Sequence, residues 1–334
     1  MAFGCSIRLI SQSTVSTNTP SVNTTREINR EWTFMVYLDA DNNLESAGIE
    51  DFLEMANIGS TDSIAIVVLF DRCEGWNPAE GYSSDYGNWN NTRIYYITYG
   101  LEPYPEEAKE VWGEKNMGDP QTLFEFINYS VTNYPANKYA LILWDHGGGY
   151  WGACWDEDNG NDRLELYEIR QALERAYDEL DITIDILGFD ACLMGDIEVV
   201  YYLRDYVNIV VFSQEYIPED GWPYDSVLNA LVAEPTMSPS ALASTIVNEY
   251  IRFYSTPPHV DINATLSAIN VSYAVRHVYQ ALNRVSGYLL RYYDTYEPTI
   301  LSAMDTAEKF YYSWLKDLID FLNIIKDEEI NVDL

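Results

Sequence analysis

The stretch Tyr139-Ala140-Leu141-Ile142-Leu143-Trp144-Asp145-His146-Gly147-Gly148-Gly149 joins an apolar run to a histidine and three consecutive glycines. A continuous apolar run of this length is typical of a strand that is covered on both faces of a parallel sheet. Glycines let another backbone approach closely, so a histidine beside them is suited to a binding or reactive site. The apolar run therefore indicates a fold class. The histidine, one of only three in the chain, indicates a site.

Apolar runs of the same kind alternate with helical patterns along the chain. The predicted strands are Trp32–Asp39, Ile64–Asp71, Arg93–Thr98, Tyr139–Asp145, Ile184–Asp190 and Val207–Ser213. The predicted helices between them are Leu44–Ala56, Thr122–Thr132, Glu165–Leu180 and Met194–Tyr206. This alternation predicts the α/β class, with a mostly parallel central sheet flanked by helices.

The chain divides into three regions on composition and pattern. Residues 1–30 are rich in Ser and Thr and are predicted to form a flexible segment. Residues 31–235 carry the α/β pattern, and residues 236–334 are predicted to form a mainly helical extension packed on it. The extension includes helical patterns over Pro239–Tyr254, Tyr273–Tyr293 and Ile300–Lys326, with a short strand near Thr265–Ile269.

Charge and composition exclude several classes of function. The formal net charge of −34 argues against nucleic acid and anionic membranes as partners, because both repel an acidic protein. No run of 18 apolar residues occurs, so we expect no membrane span. The cysteines show no C-x-x-C pair that would indicate zinc, and one disulfide, for example between Cys73 and Cys154, is left open.

Five Asn-X-Ser/Thr sequons favour an extracellular or cell-surface protein, which we expect to be a monomer. Their asparagines are Asn23, Asn90, Asn128, Asn263 and Asn270.

A second segment, residues 185–195, places Cys192 between an apolar strand and a predicted helix. Because reactive groups of open parallel sheets lie at the carboxyl ends of strands, His146 and Cys192 are expected at one edge. A helix N-terminus lowers the pKa of a thiol, and an imidazole accepts its proton. The N–H groups of Gly147 and Cys192 are then candidates for an oxyanion hole. The alternative is structural: a buried cysteine, a strand-end histidine and turn glycines.

Four segments of the chain resemble the clostripain family of cysteine peptidases. They are Trp144–Gly149 with its His-Gly motif, Phe189–Met194 with its Asp-Ala-Cys motif, the first strand and loop at Met35–Glu45, and the region Phe212–Tyr224. The clan of this family also holds caspases, gingipains, legumain and separase. The resemblance implies a caspase-like α/β sandwich and an endopeptidase that uses His146 and Cys192 as a dyad and forms a thioester.

The resemblance also implies cleavage after basic residues, with peptide or protein substrates that present Arg and, less specifically, Lys. By position, Asp190 and Asp220 match the acidic residues of the primary specificity pocket, S1, and Glu219 competes with Asp220. The structural alternatives are a helix N-cap for Asp190 and an ordinary loop acid for Asp220. Asp145 is a candidate to orient His146.

Members of the family are often zymogens that cut themselves after the catalytic histidine. In the corresponding region, residues 154–163, Arg163 is the only basic residue, and we expect cleavage after it in an exposed loop. No cofactor is required, and no metal ligands are assigned. Calcium binding is left open by the oxygen-rich stretch Asp156–Asp162, whereas Asp39 and Asp41 are expected to cap the helix that begins near Leu44.

Two other functions remain as alternatives. The first is a catalytically inactive surface protein of the peptidase fold that binds basic peptides. The second is a calcium-binding surface protein, which would show calcium-dependent stability without hydrolysis.

Overall fold

The computed structural model describes residues 30–73 and 77–327, which are built around an eight-stranded sheet. Its strands are β1 (Trp32–Ala40), β2 (Ile64–Arg72), β3 (Thr92–Tyr96), β4 (Glu110–Gly113), β5 (Lys138–Trp144), β8 (Ile184–Asp190), β9 (Val207–Phe212) and β10 (Ser267–Asn270). Their order is β10-β9-β8-β5-β1-β2-β3-β4. The central strands from β9 to β2 are parallel, and the edge strands β10, β3 and β4 join antiparallel. Strands β6 (Ala153–Asp156) and β7 (Asp162–Leu164) form a separate antiparallel ribbon.

Helices cover both faces of the sheet, which confirms the predicted α/β sandwich. The helices are α1 (Glu45–Ile58), α2 (Pro120–Asn133), α3 (Leu166–Leu180), α4 (Ile197–Leu203), α5 (Tyr224–Ala233), α6 (Pro239–Tyr254), α7 (Val271–Tyr273), α8 (Gln280–Arg291), α9 (Tyr293–Thr306) and α10 (Leu318–Asp327). Helices α2, α3, α4 and α7 share one hydrophobic cluster with the sheet, and α1, α5 and α6 share the other.

Strand β1 shows why the sheet is covered twice. All nine of its residues are buried, and alternate side chains enter opposite clusters, with Met35 and Tyr37 on one face and Phe34 and Val36 on the other. This is the burial expected of a central parallel strand, whose side chains alternate between two helical layers.

The C-terminal region divides differently from the predicted extension. Helix α6 and strand β10 belong to the layer and sheet described above, whereas α9 and α10 form a small cluster of their own around Ile300, Ala303 and Ile325. Of the predicted flexible segment, residues 1–29 lie outside the described residues. In the described part of the chain, no helix is both long and apolar enough to cross a bilayer.

Candidate active site

The sheet brings His146 and Cys192 to the same edge. Strands β5 and β8 are parallel neighbours, with Trp144 paired in register with Asp190. His146 and Cys192 each lie two residues beyond this pair, so equivalent positions of adjacent strands carry the two side chains. Both line one open cavity of about 1240 Å³.

Close backbone packing explains the first of the three glycines. A Cβ atom at Gly147 would lie 2.2 Å from the carbonyl oxygen and 2.8 Å from the amide nitrogen of Cys192. No side chain fits between the two loops, so glycine is required by contact and not by a turn. The two predicted oxyanion residues are therefore adjacent in space.

Both amides are free to donate to a ligand. Among the hydrogen bonds of the described residues, neither the Gly147 N–H nor the Cys192 N–H donates to another residue. Leu193, which follows the cysteine, has a φ of 64°, an unusual conformation for a residue with a branched side chain. Its own N–H donates to the carbonyl of Glu215 at 3.1 Å, which anchors the turn.

Asn43, in the loop after β1, fixes the imidazole of His146. Its Oδ1 lies 2.8 Å from Nε2 of His146. Because an amide oxygen only accepts, Nε2 carries the hydrogen and Nδ1 keeps its lone pair for use as a base. Asp145 does not take this role, since its carboxylate accepts hydrogen bonds from the Asn42 side chain at 2.8 Å and from the backbone of Trp155.

Burial keeps the pair neutral near pH 7. It raises the pKa of the Cys192 thiol to about 11, with smaller contributions from the charges of Asp190 and Asp145, and it lowers the pKa of His146. The expected lowering by a helix N-terminus is wrong, because α4 begins only at Ile197 and Cys192 lies in the preceding turn. The thiol donates to the carbonyl oxygen of Ile217 at 3.7 Å, and a neutral thiol in one cavity with a neutral imidazole is suited to proton transfer from Sγ to the histidine once the thiol rotates.

Asp190 lies in the wall of the cavity. It is buried, and Oδ2 accepts hydrogen bonds from the Trp222 amide at 3.0 Å and the Tyr224 hydroxyl at 2.9 Å. Burial raises the pKa of its carboxyl to about 7. Asp190 is thus a buried acid and not the N-cap of a helix.

Asp51 of α1 is a second acid at this place, and the sequence analysis missed it. A Cβ at Gly221 would lie 2.8 Å from Oδ2 of Asp51 and 3.2 Å from Oδ2 of Asp190. The Trp144 indole donates to Asp51 at 2.6 Å. The available signal was an acid on the apolar face of α1, four residues before the buried Met55.

Asp220 is not brought to the cavity wall. Its carboxylate bonds Nδ1 of His259 at 2.8 Å, and both side chains are substantially exposed. Glu219 and Gly221 line the cavity on either side of it. Of the two acids weighed at this position, the geometry favours Glu219.

Arg163 lies in the β6–β7 ribbon and not in an exposed loop. The arginine is half-buried, donates from Nε to the Trp151 carbonyl at 3.0 Å and pairs with Glu165 at 3.2 Å. The exposed residues of this region are in the turn between the two strands. The disulfide left open earlier is not formed, because Cys73 and Cys154 are buried free thiols.

Acidic residues beside the site could hold a cation. One carboxylate oxygen each from Asp41, Glu114 and Asp156 lies within 4.8 Å of the others. The expectation that Asp39 and Asp41 cap helix α1 is wrong, because the N-cap residue is Leu44 and no side chain caps it. Its amide instead donates to Oδ1 of Asn42 at 2.9 Å.

Comparison with known proteins identifies the family of this chain. The sequence model of the clostripain family, peptidase C11, matches residues 36–331. Clostripain of Hathewaya histolytica is 33% identical over 233 residues, which cover 61% of this chain and 43% of that protein. The chain thus spans less than half the length of that curated relative.

Two solved structures share the fold. A secreted C11 cysteine protease from Bacteroides thetaiotaomicron, in complex with an irreversible peptide inhibitor, aligns with a TM-score of 0.60 and 24% identity, covering 77% of this chain and 71% of that one. An inactive zymogen C11 protease from Parabacteroides distasonis aligns with a TM-score of 0.58 and 16% identity, covering 90% and 81%. Because the family model covers nearly the whole described sequence, this chain belongs to the clostripain family.

Proposed function

We propose that the protein is a cysteine endopeptidase that hydrolyses peptide bonds after basic residues. The observation that carries the proposal is the meeting of His146, Cys192 and the buried Asp190 in one cavity at the carboxyl ends of two paired strands. The free amides of Gly147 and Cys192 support it, since acyl transfer needs donors aimed at the developing oxyanion.

The reaction follows from these positions. Nδ1 of His146 accepts the Sγ proton, and the thiolate sulfur attacks the carbonyl carbon of the scissile bond. The N–H groups of Gly147 and Cys192 donate to the oxyanion of the tetrahedral intermediate. His146 then gives the proton to the leaving amine, the C–N bond breaks and a thioester remains. Water, deprotonated by the same imidazole, attacks the thioester, releases the acid product and restores the thiol.

The acidic floor of the cavity gives the preference for basic residues. Asp190 offers carboxylate oxygens to a guanidinium, which binds them bidentately, and less specifically to an ammonium, while Asp51 lies buried behind it beneath Gly221. Glu54 adds to the local charge, and burial raises the pKa of its carboxyl to about 7. A cationic side chain removes the repulsion between these acids, whereas a neutral one leaves it in place.

Autoprocessing after Arg163 forms part of the proposal. The adjoining turn is exposed, but the bond itself lies in the ribbon, and a Cβ at Gly118 would lie 2.5 Å from the Arg163 amide. Cleavage therefore requires the ribbon to open first. The test compares wild type, Cys192→Ala and Arg163→Gln by intact mass. Identical processing of wild type and Cys192→Ala would refute self-cleavage.

An extracellular or surface location is also proposed. The four sequon asparagines in the described residues, namely Asn90, Asn128, Asn263 and Asn270, are all exposed, as glycosylation or a secretory surface would need. The proposed reaction itself uses no cofactor.

The deciding experiment is hydrolysis of matched fluorogenic peptides that end in Arg, Lys, Asp or Leu. We expect cleavage of the Arg peptide, weaker cleavage of the Lys peptide, and loss of both in Cys192→Ala. A label for the active-site thiol separates the inactive binding protein, because that protein needs no thiolate and would neither take the label nor hydrolyse the peptides. Absence of cleavage by wild type, even after nicking near Arg163, would overturn the peptidase.

A further inference from the structure

A second cavity, of about 450 Å³, meets the cavity of the dyad at the catalytic histidine. His146, Gly147 and Tyr312 line both cavities. Cys192 and Asp190 line the first cavity, and among the described residues neither of them belongs to the wall of the second. The second cavity is therefore reached past the imidazole, away from the nucleophile and the acidic floor.

The proposed reaction directs one half of the substrate towards this cavity. His146 gives its proton to the leaving amine, so the residue after the scissile bond must lie against the imidazole. The residue before that bond is directed to Asp190 in the first cavity. The side chain that enters the second cavity is therefore the one that follows the scissile bond. This assignment rests on the proposed peptidase activity.

Three aromatic rings line the second cavity. Trp151 and Trp155 follow the histidine along the chain, and Tyr312 comes from the segment between α9 and α10. The ring centroids of Trp151 and Tyr312 are 6.4 Å apart, and the guanidinium of Arg163 lies 5.8 Å from the Trp155 centroid. The cavity thus offers ring faces and edges to a ligand.

A hairpin of the C-terminal region, residues 309–316, carries Tyr312. Lys309 and Lys316 form an antiparallel bridge at its base, and the amide of Phe310 donates to the carbonyl of Leu315 at 3.2 Å. These backbone contacts fix the turn in which Tyr312 lies. A residue more than 160 positions after the histidine therefore forms part of the wall beside it.

Aromatic contacts hold the tip of this hairpin against both sides of the active site. The rings of Tyr312 and Trp314 stack with centroids 5.3 Å apart, and Trp314 lies 5.3 Å from Trp151. Tyr311 packs on Tyr216, in the segment after β9, at 4.1 Å. All five rings stay at least 36% exposed, and a cluster of exposed apolar surface of this kind marks a binding site.

The charged groups of the second cavity are already bonded. Arg163 donates from Nε to the carbonyl of Trp151 and pairs with Glu165 at 3.2 Å. Glu157 accepts a hydrogen bond from the hydroxyl of Tyr82 at 2.8 Å. The rings are then the part of the wall with most to gain from a ligand, because they still contact water.

We propose that the second cavity is the subsite for the residue after the scissile bond and selects a large apolar side chain, an aromatic one above all. An aromatic side chain removes the exposed rings from water and pairs with them edge to face. A charged side chain finds no free partner there and loses its own hydration.

The test uses internally quenched peptides with Arg before the scissile bond and Phe, Leu, Ala, Lys or Asp after it. For wild type we expect kcat/KM to be about tenfold or more higher with Phe than with Ala, and Leu to lie between them. Tyr312→Ala and Trp151→Ala should each lower the Phe-to-Ala ratio about three- to tenfold, since each removes one ring from the wall. Tyr312→Phe keeps the ring and should keep the ratio.

Tyr293→Ala is the matched control. It removes a tyrosine that is 37% exposed, against 36% for Tyr312, from helix α9 in the same region of the chain. Tyr293 lines neither cavity, so the ratio of this variant should equal that of wild type. A ratio within one enzyme does not depend on the folded fraction, because both peptides report on the same active molecules.

Three results would overturn the subsite: a wild-type ratio near one, a preference for Lys or Asp, or a wild-type ratio in both ring variants. Each of them would still include cleavage after Arg and would leave the peptidase in place. Failure of wild type to cleave any of the Arg peptides would instead refute the peptidase, and the subsite with it.

Discussion

Gly147→Ala is the substitution that most directly tests the contact between the two active-site loops. The added Cβ would lie 2.2 Å from the Cys192 carbonyl oxygen, whereas ordinary contact begins at 3.4 Å. The backbones must therefore separate by the difference, 1.2 Å, because the obstructing atoms belong to the main chain and cannot rotate away.

This displacement moves both oxyanion donors relative to the sulfur. A misplacement of about 1 Å lowers the rate on the order of 100-fold, which corresponds to a rise in the activation free energy of about 2.7 kcal/mol. Removal of one oxyanion donor has an effect of the same size. We expect kcat for an Arg peptide to fall about 100-fold with little change in KM, since the acidic floor at Asp190 is not touched. Overpacking should also lower stability by about 1–3 kcal/mol.

Gly148→Ala is the matched control. Its Cβ would lie 3.0 Å from the tip of the Trp155 ring and 3.5 Å from Cβ of Trp151, both of which are side-chain atoms, and the φ of −136° suits alanine. We expect its activity to stay within about threefold of wild type. The assay is steady-state hydrolysis, normalised by titration of the reactive thiol. If Gly147→Ala kept near-wild-type kcat while folded, the amides of this contact would not stabilise the transition state and our reasoning would fail.

Three further predictions concern the groups around the dyad. Asp190→Asn should lower kcat/KM for Arg peptides about 30-fold or more, because it removes the carboxylate that pairs with the guanidinium of the substrate. Equal losses for Arg and Leu peptides would contradict this. Asn43→Ala should lower kcat about tenfold and shift the acidic limb of the pH–rate profile, since His146 loses its fixed tautomer; an unchanged profile would refute that role. Melting temperature should fall as pH rises from 4 to 7. The folded Asp190 carboxyl, with a pKa of about 7 against an ordinary 3.8, binds more protons than the unfolded one across that range, and Asp190→Asn should weaken the trend in a melting series.

The parallel core of the fold was predictable because its strands are buried on both faces. Strands β1, β5 and β8 are continuous apolar runs in the sequence. Runs of this kind are typical of strands that helices cover on both faces of a parallel sheet. The antiparallel edges were less visible, since β4 is a short strand of exposed and half-buried residues. The start of α4 was missed because Leu193 adopts a left-handed conformation that its apolar side chain does not signal.

The dyad was predictable for a topological reason, and the acids were not. A histidine and a cysteine at the ends of two apolar strands meet if the strands are neighbours, which a single crossover helix ensures. Which of 53 acids faces a cavity depends instead on side-chain directions in loops and on helix faces. Asp220 turns to His259, which the sequence does not signal, and Asp51 lies beneath Gly221, where its place on the apolar face of α1 was the only signal.

The position of Asp190 joins specificity to catalysis in the proposed reaction. Its charge is one of the smaller causes that keep the proton on Cys192, and it lies in the cavity wall that we propose receives the basic side chain. A guanidinium bound to Asp190 cancels this charge at the moment the scissile carbonyl arrives. The loss of this repulsion lowers the pKa of the thiol, while burial, the larger cause of its rise, stays in place. A neutral side chain provides no such compensation, so the contact that selects a basic residue also favours the nucleophilic form of the cysteine.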